Sequence, residues 1–355
     1  MEQRSFNLGS LLPVTTLPAL IAQLLESIEV KMYIPRVCTV AVLVCAVLSP
    51  LVQAAPRGYP ERPIRYIVPA AAGGGPDTVA RLIAADLARE FRHQIVVDNR
   101  PGAGGTIGMN MVARASPDGY TIGHANILNV AIVRSVMSNL PYSPQRDLKM
   151  VVQINTAPNI LAATLTLPVK SVKELIDYAK KQPDRLLYAY AGTGTSNHLG
   201  GELFKLMTGT SMLGVPYQSA PQGMAELMTG RIHLMYENIS SLLPHVRTGR
   251  VRGLGVTSIQ RSTAAPELPS IAETLPGFEV TAWAGIAVPA KVPDSVVLRL
   301  NSAINKALAG PALNAMFKAA GLEPAGGTAG QFAAHVEKEA VKWADVIKQS
   351  GVKIE

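Results

Sequence analysis

The sequence predicts an α/β protein of two lobes with mainly parallel sheets. Three observations carry this prediction. Short β-rich runs alternate with amphipathic helical stretches along most of the chain. A strand–glycine loop–helix unit occurs twice, at 64–91 and 186–208. The length suits two domains of ordinary size.

The amino end reads as an export signal. Residues 1–31 carry Glu2, Glu26 and Glu29 and lack a signal-like start, so they are expected to lie upstream of a true initiator at Met32. From Met32, a start with Arg36, an apolar run from Val37 to Leu48, and small residues before a cut after Ala54 make 32–54 a secretory signal peptide. The run is shorter than the roughly 20 residues a membrane span needs. Cys38 and Cys45 both lie inside it, so the mature chain has no disulfide scaffold and no thiolate metal site. Leu43-Val44 precede Cys45 in place of the small residue that a lipoprotein cut requires.

Cleavage leaves about 300 residues, enough for two lobes. It also leaves the net charge of +8 unchanged, because Arg4, Lys31 and Arg36 offset the three glutamates. A basic surface suits an anionic partner. Nucleic acid is not expected: the cations are scattered, aromatics are only 5%, and the chain is exported.

In the first part of the mature chain, Ile64–Val68 reads as a strand, Ala72–Asp77 as a loop, and Thr78–Phe91 as a helix burying Val79, Leu82, Ile83 and Leu87. Ile95–Val97 is a strand, Met109–Ala115 a short helix and Tyr120–His124 a strand. The second part repeats the plan. Ser171-Val172-Lys173-Glu174 is a capping box opening a helix to about Lys181. Leu186–Tyr190 is a strand, Gly192–Ser196 a loop, and Asn197–Met207 a helix stopped by Gly209. A helix at Gly223–Met228, a strand at Ile232–Tyr236, a helix at Leu242–Thr248 and a strand at Leu254–Thr257 follow. The last part is helical. Asp294 caps Ser295–Leu308, Gly310-Pro311 breaks the chain before Ala312–Ala320, and Thr328 caps a final helix to about Gln349.

Both glycine loops open directly into helices. First-turn N–H groups have no internal acceptor and sit at the positive end of the helix dipole, which favours anions. Glycine lets backbone approach a ligand, and ligands of open α/β sheets lie beyond the strands' carboxyl ends. Neither loop has the Gly-Lys-Ser/Thr of a nucleotide P-loop, so a carboxylate suits them better than a triphosphate. Alternatively, Gly73–Gly75 and Gly192–Gly194 make tight turns and Asp77 is an N-cap. The near-fingerprint at Gly102–Gly108 has the wrong spacing for a dinucleotide and reads as a structural turn.

Catalytic and metal patterns are missing. The six histidines show no ligand spacing, there is no nucleophile elbow, and no cofactor is implied. His198 lies beside the second loop, where it either orients Thr195–Ser196 or satisfies a backbone carbonyl. Trp283 is either core or a cleft residue.

Several segments resemble the Bug-type receptors of tripartite tricarboxylate transporters. They are Tyr59–Ile64, Val68-Pro69 with Gly73–Asp77, Asp98–Gly105, Asp118–Thr121, Gly192–Leu199, Val215–Tyr217, Pro244-His245, Val256–Ser258 and Leu275–Phe278. The resemblance covers essentially all of 59–355. It implies a type II periplasmic-binding-protein fold: 59–159 plus 281–355 as one lobe, 160–280 as the other, and two crossings between them. It also implies a small organic carboxylate (a di- or tricarboxylate, an aromatic acid or an amino acid) held in the cleft.

Carried onto this chain, the ligand-binding residues are Ala72, Gly73, Gly74 and Asp77 of the first loop and Thr193, Gly194, Thr195 and Ser196 of the second. His198 stands behind the second loop, and Asn126, Glu237 and Trp283 join the set. The resemblance further implies a periplasmic monomer that presents its ligand to membrane permease subunits. A sensory receptor, or an enzyme on the same scaffold, is the alternative. This chain departs from the pattern at Ala70-Ala71-Ala72, where relatives often have prolines, and at His233 and Glu237, where they often have Asp. The longer Glu237 either favours a ligand with an amine or restricts ligand size.

Overall fold

The computed structural model describes residues 58–137 and 139–351. The expected initiator at Met32, the signal peptide with Cys38 and Cys45, and the cut after Ala54 lie outside these residues. Among the described residues no helix is long and apolar enough to cross a membrane.

The elements run β1 (Ile64–Val68), α1 (Gly75–Phe91), β2 (Ile95–Asn99), α2 (Thr106–Ala113), β3 (Thr121–Asn126), β4 (Leu148–Ala163), α3 (Val172–Lys181), β5 (Leu187–Ala191), α4 (Ser196–Thr208) and β6 (Leu213–Tyr217). They continue with α5 (Ala220–Thr229), β7 (Leu234–Asn238), α6 (Ile239–Arg247), β8 (Arg252–Val256), β9 (Thr281–Pro289), α7 (Asp294–Leu308), α8 (Pro311–Ala319), β10 (Glu323–Gly326) and α9 (Ala329–Ser350). A π-helical turn, Ile127–Ile132, follows β3.

Local chemistry explains the boundaries. Helix α1 begins three residues before the apolar pattern does, because Gly75 and Pro76 form its first turn, where a missing N–H costs nothing. At α3, Ser171 Oγ accepts the Glu174 N–H (3.1 Å), but the Glu174 carboxylate reaches past the cap to the Lys170 N–H (2.8 Å). Gly209 ends α4 in the left-handed conformation that glycine adopts without strain. Thr328 and Gln331 form a full capping box on α9.

The two-lobed type II architecture is built on mixed sheets. Strands β1, β2 and β3 pair in parallel, as do β5, β6 and β7. Every pairing of β4 and β9 is antiparallel, so the expectation of mainly parallel sheets holds only within these two triplets. Strand β4 unites the two sets. Its residues 148–158 pair with β9, and 159–163 pair with β7. The sequence does not predict β4, because Asn155, Pro158 and Asn159 interrupt its apolar run.

Apolar burial follows the two sets. Helices α1 and α7 bury Ile83, Leu87, Leu300 and Ile304 with Tyr66, Val68 and Ile286 of the first set. Helices α5 and α6 close one face of the second over Ile160, Met235 and Leu242. Helices α4 and α9 share a third cluster with Tyr188, Tyr236, Trp283, Phe332 and Trp343.

Candidate functional site

Pairing register turns the carboxyl edges of the two parallel sets toward each other. Asn126, the last residue of β3, is level with Ala284 of β9 and through it with Asn155 of β4. Asn238, the last residue of β7, lies opposite Asn159 of β4. Strands β3 and β7 therefore end facing one another across residues 155–159, a span of roughly 13 Å for four steps along a strand. Both glycine loops leave their strands at these edges.

The first loop is braced from behind. Asp77 Oδ2 accepts the Gly73 N–H (2.8 Å) and the Arg81 Nε–H (3.0 Å), while Oδ1 accepts from Asn99 Nδ2 (3.0 Å). Asn99 Nδ2 also holds the Ala70 carbonyl (3.1 Å). The Arg81 hydrogen bond, then that from Gly73, hold the Asp77 carboxyl down at about 2. Asp77 is buried and is not the N-cap; Gly74 occupies that position without a side-chain bond.

The brace takes the Gly73 N–H, and the Gly74 N–H turns back to Ala71 O (3.4 Å). The donors left to an anion are the first-turn N–H groups of Gly75 and Asp77, which have no intrahelical acceptor. Ala72, Gly73 and Gly75 are exposed. A Cβ at Gly73 or Gly75 would meet no atom within 4 Å, so this backbone is open to approach.

The second loop repeats the arrangement with a different brace. His198 Nδ1 accepts the Gly194 N–H (3.1 Å), and its ring stacks on Tyr190 (4.0 Å between centroids). His198 thus orients the loop by accepting an N–H, and among the described residues no carbonyl accepts from its ring. Burial pushes its pKa down against the opposing pull of Glu202, which keeps the ring neutral and able to accept. Thr195 caps α4: its hydroxyl accepts the His198 N–H (3.4 Å) and donates to Gly192 O (2.8 Å). The Gly194 N–H is therefore committed, and Ser196 and Asn197 supply the free first-turn donors. Thr193 is exposed at the loop's tip.

Glu237, at the end of β7, joins the second loop through a buried chain of side chains. Its Oε2 accepts from Asn197 Nδ2 (2.6 Å), and Oε1 accepts from Asn238 N (2.8 Å) and Nδ2 (3.1 Å). Ser196 Oγ donates to Asn197 Oδ1 (3.2 Å) and accepts from Asn159 Nδ2 (3.2 Å). Burial raises the Glu237 pKa, and its amide donors oppose that shift.

Asn126 caps the π-helical turn. Its Oδ1 accepts from Leu128 and Asn129 N–H (3.0 Å each), and Asn129 Oδ1 accepts the Asn126 N–H (2.8 Å). Its oxygen thus positions the segment after β3.

Trp283 requires a correction. It is 2% exposed, pairs in register with Thr156, and gives its indole N–H to Glu339 of α9 (3.3 Å) beside Phe332 and His335. It is core beneath α9, at neither glycine loop. His233 immediately precedes β7, at the end away from Glu237, where Nδ1 accepts the Leu187 N–H (3.0 Å). Gly105 and Gly108 pack their backbones on Pro69, the close approach expected of a structural turn. Among the described residues no group of three or more His, Cys, Asp or Glu could hold a metal ion.

Asn99, Asn159, Asn197 and Asn238 join the site although the sequence does not predict them. Asn197 and Asn238 adjoin flagged positions and carry a weak signal. Asn99 and Asn159 act across 22 and 37 residues, and no local spacing announces them.

A family model described as tripartite tricarboxylate transporter family receptor matches residues 79–352. A UPF0065 protein in the tcbD–tcbE intergenic region of Pseudomonas sp. (strain P51) is 38% identical over 291 residues, which cover 81% of this chain and 86% of the relative. Among solved structures, R. palustris Rpa4515 with adipate is 35% identical with a TM-score of 0.71, covering 83% of this chain and 99% of the other. The periplasmic binding protein BugD is 33% identical with a TM-score of 0.68, covering 83% and 99%.

Proposed function

The chain belongs to the tripartite tricarboxylate transporter receptor family, and from that premise we propose that it is a periplasmic receptor capturing a small organic carboxylate. The convergence of two braced glycine loops across residues 155–159 of β4 carries this reading. Each loop opens into a helix with uncommitted first-turn N–H groups, a polarity that attracts a carboxylate. The relative solved with adipate supports the same ligand class.

In this reading the lobes are 59–159 plus 281–355 and 160–280, with β4 and the segment entering β9 as the crossings. Ligand touching both loops stabilises the closed form by its preference for that form over the open one. The signal peptide is removed near Ala54, and the mature monomer hands its ligand to permease subunits without chemical turnover.

A thermal-shift screen of mono-, di- and tricarboxylates, aromatic acids and amino acids tests the proposal, because a ligand of the native state raises its stability by mass action. A melting point moved by neutral solutes and by no acid would defeat it. Gly194 sits at φ 79°, so Gly194→Val forces the second loop out of shape. Calorimetry should show ligand affinity lost in a folded protein.

A further inference from the structure

The direction of the buried side-chain chain fixes what the site offers besides N–H groups. Glu237 is its anchor. Burial pushes its pKa up, but all three partners of its carboxylate are donors that favour the ionised form, and among the described residues no cation pairs with it. An ionised carboxylate only accepts, so Asn197 must turn Nδ2 toward Glu237 and Oδ1 toward Ser196. Ser196 must then give its proton to Asn197 Oδ1 and can only accept from Asn159, which turns Nδ2 toward it. Asn159 Oδ1 is left over, fully buried and without a hydrogen-bond partner.

A second orphan repeats the feature independently. Asn155 Oδ1 on the same strand is also buried and unpartnered. Strand alternation puts Asn155 and Asn159 on one face of β4, opposite the face of Thr156. Both lie in the 155–159 segment where the two carboxyl edges meet. Natural structures rarely leave a buried acceptor unpaired, and a group that binds there supplies what the fold withholds.

We propose that Asn159 Oδ1, left unpaired by the side-chain chain anchored on Glu237, reads an ammonium group, so that this receptor takes an amino-substituted carboxylate in preference to the unsubstituted acid. The inference rests on the carboxylate reading and narrows it. The α1 and α4 N-termini serve the ligand's carboxylate. The unpaired acceptor of Asn159 serves its cation. An ammonium fits better than a hydroxyl because it donates three hydrogen bonds and its charge strengthens the one it gives to Asn159.

Isothermal titration of the mature receptor with matched acids of three to eight carbons tests the idea, each skeleton supplied unsubstituted, hydroxylated and aminated (for four carbons, succinate, malate and aspartate). The aminated member should bind roughly tenfold or more tightly than its unsubstituted partner, as a charge-assisted hydrogen bond implies. Glu237→Gln gives a sharper expectation. Gln donates to Asn197, every amide in the chain reverses, and Asn159 then presents Nδ2, so the preference should invert toward the unsubstituted acid. Asn159→Ala should shrink the amino preference, and a melting curve of each variant confirms folding. Should Asn159→Ala not fold, the isosteric Glu237→Gln carries the test alone.

An unsubstituted or hydroxylated acid binding as tightly as the aminated one would overturn the inference while leaving the carboxylate reading standing. So would unchanged selectivity in Glu237→Gln. Binding by no acid of any length would sink the carboxylate reading itself, and this inference with it.

Discussion

Asp77→Asn separates a brace from a ligand contact. The carboxylate of Asp77 holds the Gly73 N–H, Arg81 and Asn99 at 2.8–3.0 Å and is buried, whereas the Arg81 side chain is 55% exposed. Its pKa of about 2 against an ordinary 3.8 corresponds to at most about 2.5 kcal/mol of stabilisation. Solvent screening of Arg81 cuts that share, leaving about 1–2 kcal/mol. The sign follows from linkage. A depressed folded pKa gives stability that is fully present above the unfolded value and is lost as pH falls through about 2. Asp77→Asn should therefore lower the melting temperature at pH 7 by roughly 2–5 °C. The gap from the parent protein should narrow as pH falls from about 4 toward 2. Calorimetric melts across that range read both quantities. A gap that is absent at pH 7, or that persists unchanged into acid, would refute the brace.

Three further substitutions probe the rest of the frame. His198→Ala leaves the Gly194 N–H unpaired, at about 1–2 kcal/mol. Because burial depresses the folded His198 pKa, the parent protein loses stability as pH drops below the ordinary imidazole range, and the variant's melting temperature should fall less steeply from pH 7 to 5. Glu339→Ala strips the acceptor shared by the Trp283 and Trp343 indoles, costing about 2–4 kcal/mol. The chain has only these two tryptophans, so their emission should shift to the red, and an unchanged spectrum would count against the cluster. Gly285→Ala drives a methyl into the Phe332 ring and the Val152 carbonyl, and a melt should register about 1–3 kcal/mol of overpacking.

The legible parts of this fold are those whose causes are local. Glycine-to-helix transitions, the Ser171 and Thr328 caps and the Gly209 stop each depend on a few adjacent residues, and the structure places them within three residues of expectation. Strand β4 was not legible. It is held on both sides along its length by β9, β10, β7 and β8, and those partners override a sequence that Pro158 and two asparagines make look irregular. At the site, both glycine loops could be located from the sequence. What could not be read is that Asp77 and His198 use up N–H groups of those very glycines, since nothing in the spacing says which way a side chain turns. Trp283 shows the converse: a large aromatic near a crossing suits a cleft equally well until Glu339 and Phe332 claim it.

The braces bear on how such a site divides its work. A glycine loop left free would lose backbone entropy on meeting a ligand, at roughly 1–2 kcal/mol per residue fixed. Asp77 and His198 fix Gly73 and Gly194 beforehand, so that loss belongs to folding and binding energy is spared it. The N–H groups that remain belong to helix first turns, whose positions are set by α1 and α4 and are nearly independent of ligand identity. Discrimination must therefore come from elsewhere. In the proposed reading it comes from the unpaired Asn159 acceptor and from the Glu237 that sets its orientation. Exchanging Glu237 should change which acid binds, whereas exchanging Asp77 or His198 should change how tightly every acid binds.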